Sequence, residues 1–188
     1  NFGFQKFVGF KSGNVDYQSH RNRYGDVDWW DGLEMKNMPG YTTTLLTTLS
    51  EDYIKENKDK PFCLYIAHAA PHSPMQGPNE KAIRTEATLE GDKNSDRPNK
   101  EIYKDMVEEL DWSVGRILET LKKYKLDKNT FVVFFSDNGP VINNGGSTGG
   151  YRGAKGAPWE GGHRVPGICY MPGTVKGGTM CKQTVMSF

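Results

Sequence analysis

Cysteine is scarce. The 188 residues hold three, Cys63, Cys169 and Cys181, and an odd, widely spaced set supports neither a disulfide framework nor a Cys-based zinc site. An excess of charge of one sign is missing as well: 24 Lys plus Arg stand against 23 Asp plus Glu, a net charge of +1. That balance lacks the electrostatic footprint of a nucleic-acid binder or of a protein held on an anionic membrane. No apolar run approaches the ~18 residues of a membrane-spanning helix. The opening NFGFQKFVGF has no initiator Met, basic n-region or apolar h-region, so no secretory signal lies within these residues. HExxH, CxxC, GxGxxG and the P-loop GxxxxGK[ST] are all absent, which leaves a zincin and a nucleotide-binding loop without support.

What is present is enough for one modest core. Hydrophobic residues make up 36% and aromatics 12%, with a mean hydropathy of −0.69; the chain is polar for a globular domain but too aromatic for a disordered one. The 22 Gly and 10 Pro concentrate around Pro71 to Pro78, from Gly139 to Gly162 and from Pro166 to Gly178, marking those stretches as loops. Residues 1 to 41 show no period of 2 or 3.6 and read as an irregular, aromatic-pinned surface stretch. Its Tyr24, Trp29 and Trp30 either stack on sugar rings or pin a loop, and pinning is the simpler role. From Thr43, Leu45, Leu46, Leu49, Tyr53 and Ile54 share one helical face. PFCLYIA (61–67) reads as a strand buried on both faces. Between Glu101 and Tyr124, Ile102, Met106, Val107, Leu110, Val114, Ile117, Leu118 and Leu121 recur at three and four, a long amphipathic helix. FVVFF (131–135) reads as a second buried strand. Helix, strand, loop, helix, strand is the order of an α/β domain with a parallel sheet and right-handed crossovers, whose ligands collect beyond the strand ends.

Three segments carry candidate chemistry. SDNG sets the carboxylate of Asp137 beside the amide oxygen of Asn138, hard ligands suited to calcium or magnesium; a plain strand-end turn explains the same residues. HAAPHSP holds His68 and His72 at the mouth of the first strand. A stiffened imidazole at His72 suits a general acid or an anion contact, or else is a loop histidine, whereas His68 reads better as a packing residue. YRGAKGAPWEGGHRVPG (151–167) places Arg152, Lys155, Glu160, His163 and Arg164 among glycines that let backbone approach a ligand. There Lys155 suits contact with an oxyanion, and Glu160 with Arg164, four apart, suits a scaffolding ion pair.

In order, PFCLYIAHAAPHSP, DWSVGRILETLKKYKL, NTFVVFFSDNGP and RGAKGAPWEGGHRVPGICYMPG closely resemble the formylglycine-dependent sulfatases of the arylsulfatase and N-acetylgalactosamine-6-sulfatase type, within the alkaline phosphatase superfamily. The resemblance implies an alkaline phosphatase-like α/β sandwich with a large mixed, mainly parallel sheet between helices. It implies Asp137 and Asn138 as ligands of one calcium ion, His72 as the histidine beside the leaving-group oxygen and Lys155 as the lysine on the sulfate, both touching substrate. In that mechanism a formylglycine hydrate attacks sulfur, the alcohol leaves with proton assistance, and the sulfated hemiacetal expels sulfate. The implied substrate is a small-molecule or glycan sulfate ester.

The chain departs from the family where the nucleophile is concerned. No Cys- or Ser-x-Pro-x-Arg frame occurs in it, nor does the Asp pair that completes the calcium site. The expectation is therefore a central part of a single sulfatase catalytic domain, inactive alone, with a nucleophile segment upstream, a smaller subdomain downstream, and a formylglycine-generating or equivalent maturation enzyme as partner of the parent. The end at CKQTVMSF, in mid-pattern, fits that expectation. The parent is expected to be secreted, periplasmic or lysosomal, and the lack of an Asn-x-Ser/Thr sequon leans away from a glycosylated lysosomal form. A phosphodiesterase or phosphonate hydrolase of the same superfamily, or a non-catalytic carbohydrate-binding homologue, are the competing readings.

Overall fold

The computed structural model describes residues 3–85 and 95–183 and divides into two compact units, Asn1–Ile117 and Leu118–Phe188. The last five residues of the CKQTVMSF ending lie outside the described residues.

In the first unit, two-residue strands β1 (Val8–Gly9), β2 (Trp30–Asp31) and β3 (Glu34–Met35) form an antiparallel sheet in the order β1-β2-β3. The stretch read as surface is in large part core. Val15, Asp16, Tyr17, His20 and Trp29 are all 0% exposed. Its interior is fixed by side chains bonding to backbone, which leaves no apolar period to read. Trp29 packs on His20 at 4.5 Å between ring centroids and donates to Met38 Sδ at 3.2 Å, so it is a pin. Trp30 lies under the Lys11 ammonium at 3.3 Å, while Tyr24 stays exposed.

Helix α1 runs Thr42–Asn57, and Lys55 in its last turn complements the helix dipole. Its buried face is more polar than the leucine spacing predicts: Thr43, Leu46, Thr47, Ser50, Ile54 and Asn57 are inside, and Leu45, Leu49 and Tyr53 are half-buried. The hydroxyls are tolerated because they bond back along the helix, Thr47 Oγ1 to Thr43 O at 2.7 Å and Ser50 Oγ to Leu46 O at 2.6 Å. Small side chains also let α1 approach α2 (Asn99–Lys123), the long helix expected from the three-and-four spacing. Thr44 bonds Glu109 at 2.7 Å, Thr47 meets Ser113 at 2.6 Å and Glu51 pairs with Arg116 at 2.9 Å. Positions 44, 47 and 51 against 109, 113 and 116 are one stripe on each helix. Ile102 and Met106 of α2 enter a cluster with Tyr17, Tyr41, Ala70 and Met75.

Residues 61–67 form neither helix nor strand among the described residues. Only alternate residues, Phe62, Leu64 and Ile66, are even half-buried, Phe62 standing edge-on to Tyr53 of α1 at 5.9 Å. Burial on both faces needs a layer on each side, and the described residues supply one.

In the second unit, β4 (Val132–Phe135) pairs antiparallel with β5 (Gly167–Tyr170), Val132 opposite Tyr170 and Phe135 opposite Gly167. The expected parallel sheet is not seen within either unit: among the described residues both sheets are antiparallel. Phe131, Val133 and Phe135 are 58%, 48% and 45% exposed, so this strand too is covered on one side only. A short helix α3 (Glu160–His163) precedes β5. All three cysteines are free and exposed.

Candidate active site

Asp137 and Asn138 follow β4 directly, so a strand end delivers them to the surface of the second unit. Asn138 N donates to Asp137 Oδ1 at 2.9 Å, and Asn138 Nδ2 donates to Gly139 O at 2.9 Å. The second bond uses the amide as a donor and leaves its oxygen free to accept. Asp137 Oδ2 and Asn138 Oδ1 are thus two hard oxygen atoms on adjacent residues.

The chain then returns past this turn in a backbone knot. Gly139 N donates to Gly162 O at 2.9 Å, Gly161 N to Arg152 O at 2.8 Å and Lys155 N to Pro140 O at 3.1 Å. The strands of the knot nearly touch: a Cβ on Gly139 would fall 1.9 Å from Gly161 O, and one on Gly161 would fall 2.3 Å from Gly153 O. Only glycine allows that approach. The knot therefore fixes the Asp137–Asn138 turn beside the turn that carries Lys155. The Lys155 side chain is exposed and makes no ion pair among the described residues, so its charge is available to an anion. Arg152 lies on the Trp159 ring at 3.7 Å, and Arg164 lies over Tyr151 at 4.7 Å while pairing with Glu160 at 3.1 Å. The Glu160–Arg164 pair expected from spacing is made.

His72 belongs to the first unit. Its ring is exposed, and Nδ1 lies 2.8 Å from Ser73 O. A carbonyl oxygen only accepts, so this contact is a hydrogen bond in the tautomer with its hydrogen on Nδ1, which leaves Nε2 unused by that bond. His68 is instead a packing residue, as read from the sequence. Its Nε2 sits 3.4 Å from Ser113 Oγ, its Nδ1 is buried without a hydrogen-bond partner among the described residues, and burial lowers its pKa to about 4.

Residues that no motif marked hold the His72 loop. Gln76, wholly buried, accepts from Tyr17 N at 2.8 Å and donates to Lys81 O at 2.9 Å and Asp16 Oδ2 at 3.2 Å. Asp16 also accepts from Gln18 and Ser19 N, an Asx turn that D-x-x-S signals locally. Its longer-range bonds, to Ile83 and Arg84 N at 2.6 and 2.8 Å, have no local signature.

A family profile described as Sulfatase matches residues 1–187. The chain belongs to the sulfatase family. It is 36% identical over 141 residues to the rat (Rattus norvegicus) steryl-sulfatase, covering 71% of this chain and 22% of that protein. Against the mouse (Mus musculus) arylsulfatase J it is 32% identical over 191 residues, covering 97% and 31%. The crystal structure of Ps i-CgsB superposes with a TM-score of 0.78 at 27% identity, covering 94% of this chain and 41% of that one. The same protein in complex with k-i-k-neocarrahexaose gives a TM-score of 0.74, also at 27% identity, over 91% of this chain and 40% of that one. This chain thus spans less than a third of the length of those two curated relatives. Its fold is a partial α/β domain of the alkaline phosphatase-like kind that its sulfatase neighbours share.

Among the described residues no three His, Cys, Asp or Glu side chains group as a metal site. The Asp137 and Asn138 oxygens nevertheless fit calcium chemically: hard donors, neither engaged by a cation among the described residues. Calcium takes about six to eight oxygens, of which these two residues could supply only a part.

Proposed function

We propose that the parent protein is a sulfatase that hydrolyses sulfate esters, with sulfated glycans as its substrate class. One observation supports the reading: the glycine knot holds the Asp137–Asn138 turn at a strand end beside the turn of Lys155, whose ammonium makes no ion pair among the described residues, in a chain of the sulfatase family. The Lys155 ammonium binds a non-bridging oxygen of the sulfate and offsets the charge that grows there in the transition state, a role typically worth 10²–10³ in rate. His72 protonates the departing sugar oxygen from Nε2. Asp137 and Asn138 would hold calcium, which supplies electrostatic stabilisation of the sulfate oxygens when bound. None of the three cysteines stands in a Cys-x-Pro-x-Arg frame. The formylglycine nucleophile is therefore assigned to sequence outside these 188 residues, installed by a maturation enzyme, and residues 1–188 alone are inactive.

The glycan preference draws on the oligosaccharide bound by Ps i-CgsB. No helix among the described residues is long and apolar enough to cross a membrane, and a secreted, periplasmic or lysosomal setting is where such substrates are met. The test is sulfate release by the full-length protein from an aryl sulfate and from sulfated oligosaccharides, beside phosphate release from matched phosphomonoesters and phosphodiesters. Turnover of the sulfate esters supports the reading; preference for the phosphoesters contradicts it.

A further inference from the structure

Tyr17 and Tyr41 lie outside every motif that points to chemistry, yet both reach the His72 loop. Their rings stack at 5.4 Å and 22° inside the cluster of Ala70, Met75, Ile102 and Met106, and neither is more than 6% exposed. Each phenol donates to loop backbone: Tyr17 Oη to His72 O at 2.9 Å and Tyr41 Oη to Gln76 O at 2.7 Å. Tyr17 is itself held, its N–H on Gln76 Oε1 and its carbonyl accepting from Thr42 N at 2.8 Å at the start of α1. Burial raises the pKa of both phenols, with the neighbouring Tyr41 adding to the rise at Tyr17, so both remain protonated donors.

An exposed side chain on a loop is placed only as well as its backbone. The His72 imidazole rests on Ser73 O through Nδ1. Releasing His72 O would free the His72–Ser73 peptide plane to turn and carry that acceptor away. We propose that Tyr17 is a positioning residue of the reaction: through its hydroxyl on His72 O, backed by the stacked Tyr41 and by Gln76, it fixes where the His72 imidazole stands. Tyr17 touches no substrate and acts through His72. The proposal rests on the reading of His72 as the acid for the leaving group.

That dependence sets the experiment, done on the full-length protein with Tyr17→Phe and His72→Ala. Two substrates separate the roles: 4-nitrophenyl sulfate, whose leaving group needs no proton, and a monosaccharide 6-sulfate, whose alkoxide does. Tyr17→Phe is expected to lower kcat on the sugar sulfate about tenfold with KM within about twofold, and to leave the aryl sulfate nearly unchanged. His72→Ala should show the same selectivity with a larger loss. Wild-type kcat on both substrates for Tyr17→Phe overturns the positioning role while His72 stands, as does an equal fall on both that tracks a lowered Tm. Wild-type turnover of the sugar sulfate by His72→Ala overturns the acid reading itself.

Discussion

Asp16 is the residue whose loss should be felt most widely in the first unit. It is 0% exposed and accepts from Gln18 and Ser19 N on Oδ1 and from Ile83 N, Arg84 N and Gln76 Nε2 on Oδ2. Asp16→Ala leaves four backbone N–H groups without an acceptor. Each buried group so stranded costs about 1–3 kcal/mol; local relaxation recovers part, and about 3–5 kcal/mol remains, the range for breaking a buried charged network. Asp16→Asn keeps the shape but turns an NH₂ toward Ile83 and Arg84 N–H, donor against donor, and should recover less than half of that. Calorimetry of the full-length protein should show a Tm lowered by roughly 10 °C for the alanine variant. Burial pushes the Asp16 pKa up, and the N–H groups of Ser19, Arg84, Ile83 and Gln18 together pull it below its ordinary value. The stabilisation is therefore complete above about pH 4 and is lost as pH falls through the depressed folded-state value. A Tm for Asp16→Ala within about 1 °C of wild type would refute the reasoning.

Gly161→Ala puts a Cβ 2.3 Å from Gly153 O and 2.8 Å from Arg152 O, so the knot must open by more than an ångström; sulfate-ester turnover by the full-length protein should fall by at least about tenfold, and unchanged kinetics would show that the close approach is not needed. Asp137→Ala removes one of the two oxygens proposed to hold calcium, and the purified protein should lose calcium measured by inductively coupled plasma mass spectrometry; full calcium content would take Asp137 out of the proposed ligand set. His68, with its pKa lowered to about 4 by burial, stays neutral when folded and charges near pH 6.5 when unfolded. It should therefore withdraw about 3 kcal/mol of stability as pH falls from 6.5 to 4. Denaturation profiles of wild type and His68→Gln should differ in slope across that window, and parallel profiles would contradict the assignment.

What could be read from the sequence follows the physics of each segment. α2 announces itself because its apolar residues repeat at three and four, and that spacing names Ile102, Met106 and Leu121 of its interior but also Val107, which is exposed, and misses the buried Ser113 and Thr120. α1 was legible as a helix, but its buried face of Thr43, Thr47 and Ser50 was not, because an apolar period cannot report hydroxyls that bond back to the helix. The first forty residues hid their role for the same reason. Asp16 and Gln76 lie sixty positions apart and meet 3.2 Å from each other, a side-chain bond that neither propensity nor period encodes. At the site, the composition of 151–167 showed that backbone would come close to something. It did not show that the close partner is the chain's own Gly139 turn, brought in by Gly161 and Gly162. The segment 61–67 has the composition of a doubly buried strand, but burial depends on the layers around it, which local sequence does not describe.

The most direct test of the account is the rate of sulfate release by the full-length protein and its Lys155→Ala variant, with Tm measured alongside. Lys155 is exposed and, among the described residues, only its backbone N–H is bonded, to Pro140 O at 3.1 Å, so truncating the side chain should leave Tm unchanged. If the ammonium stabilises charge on the sulfate, kcat/KM falls by about 10²–10³. Equal rates for the two proteins on every sulfate ester tried would contradict the claim that this knot is where the sulfate binds.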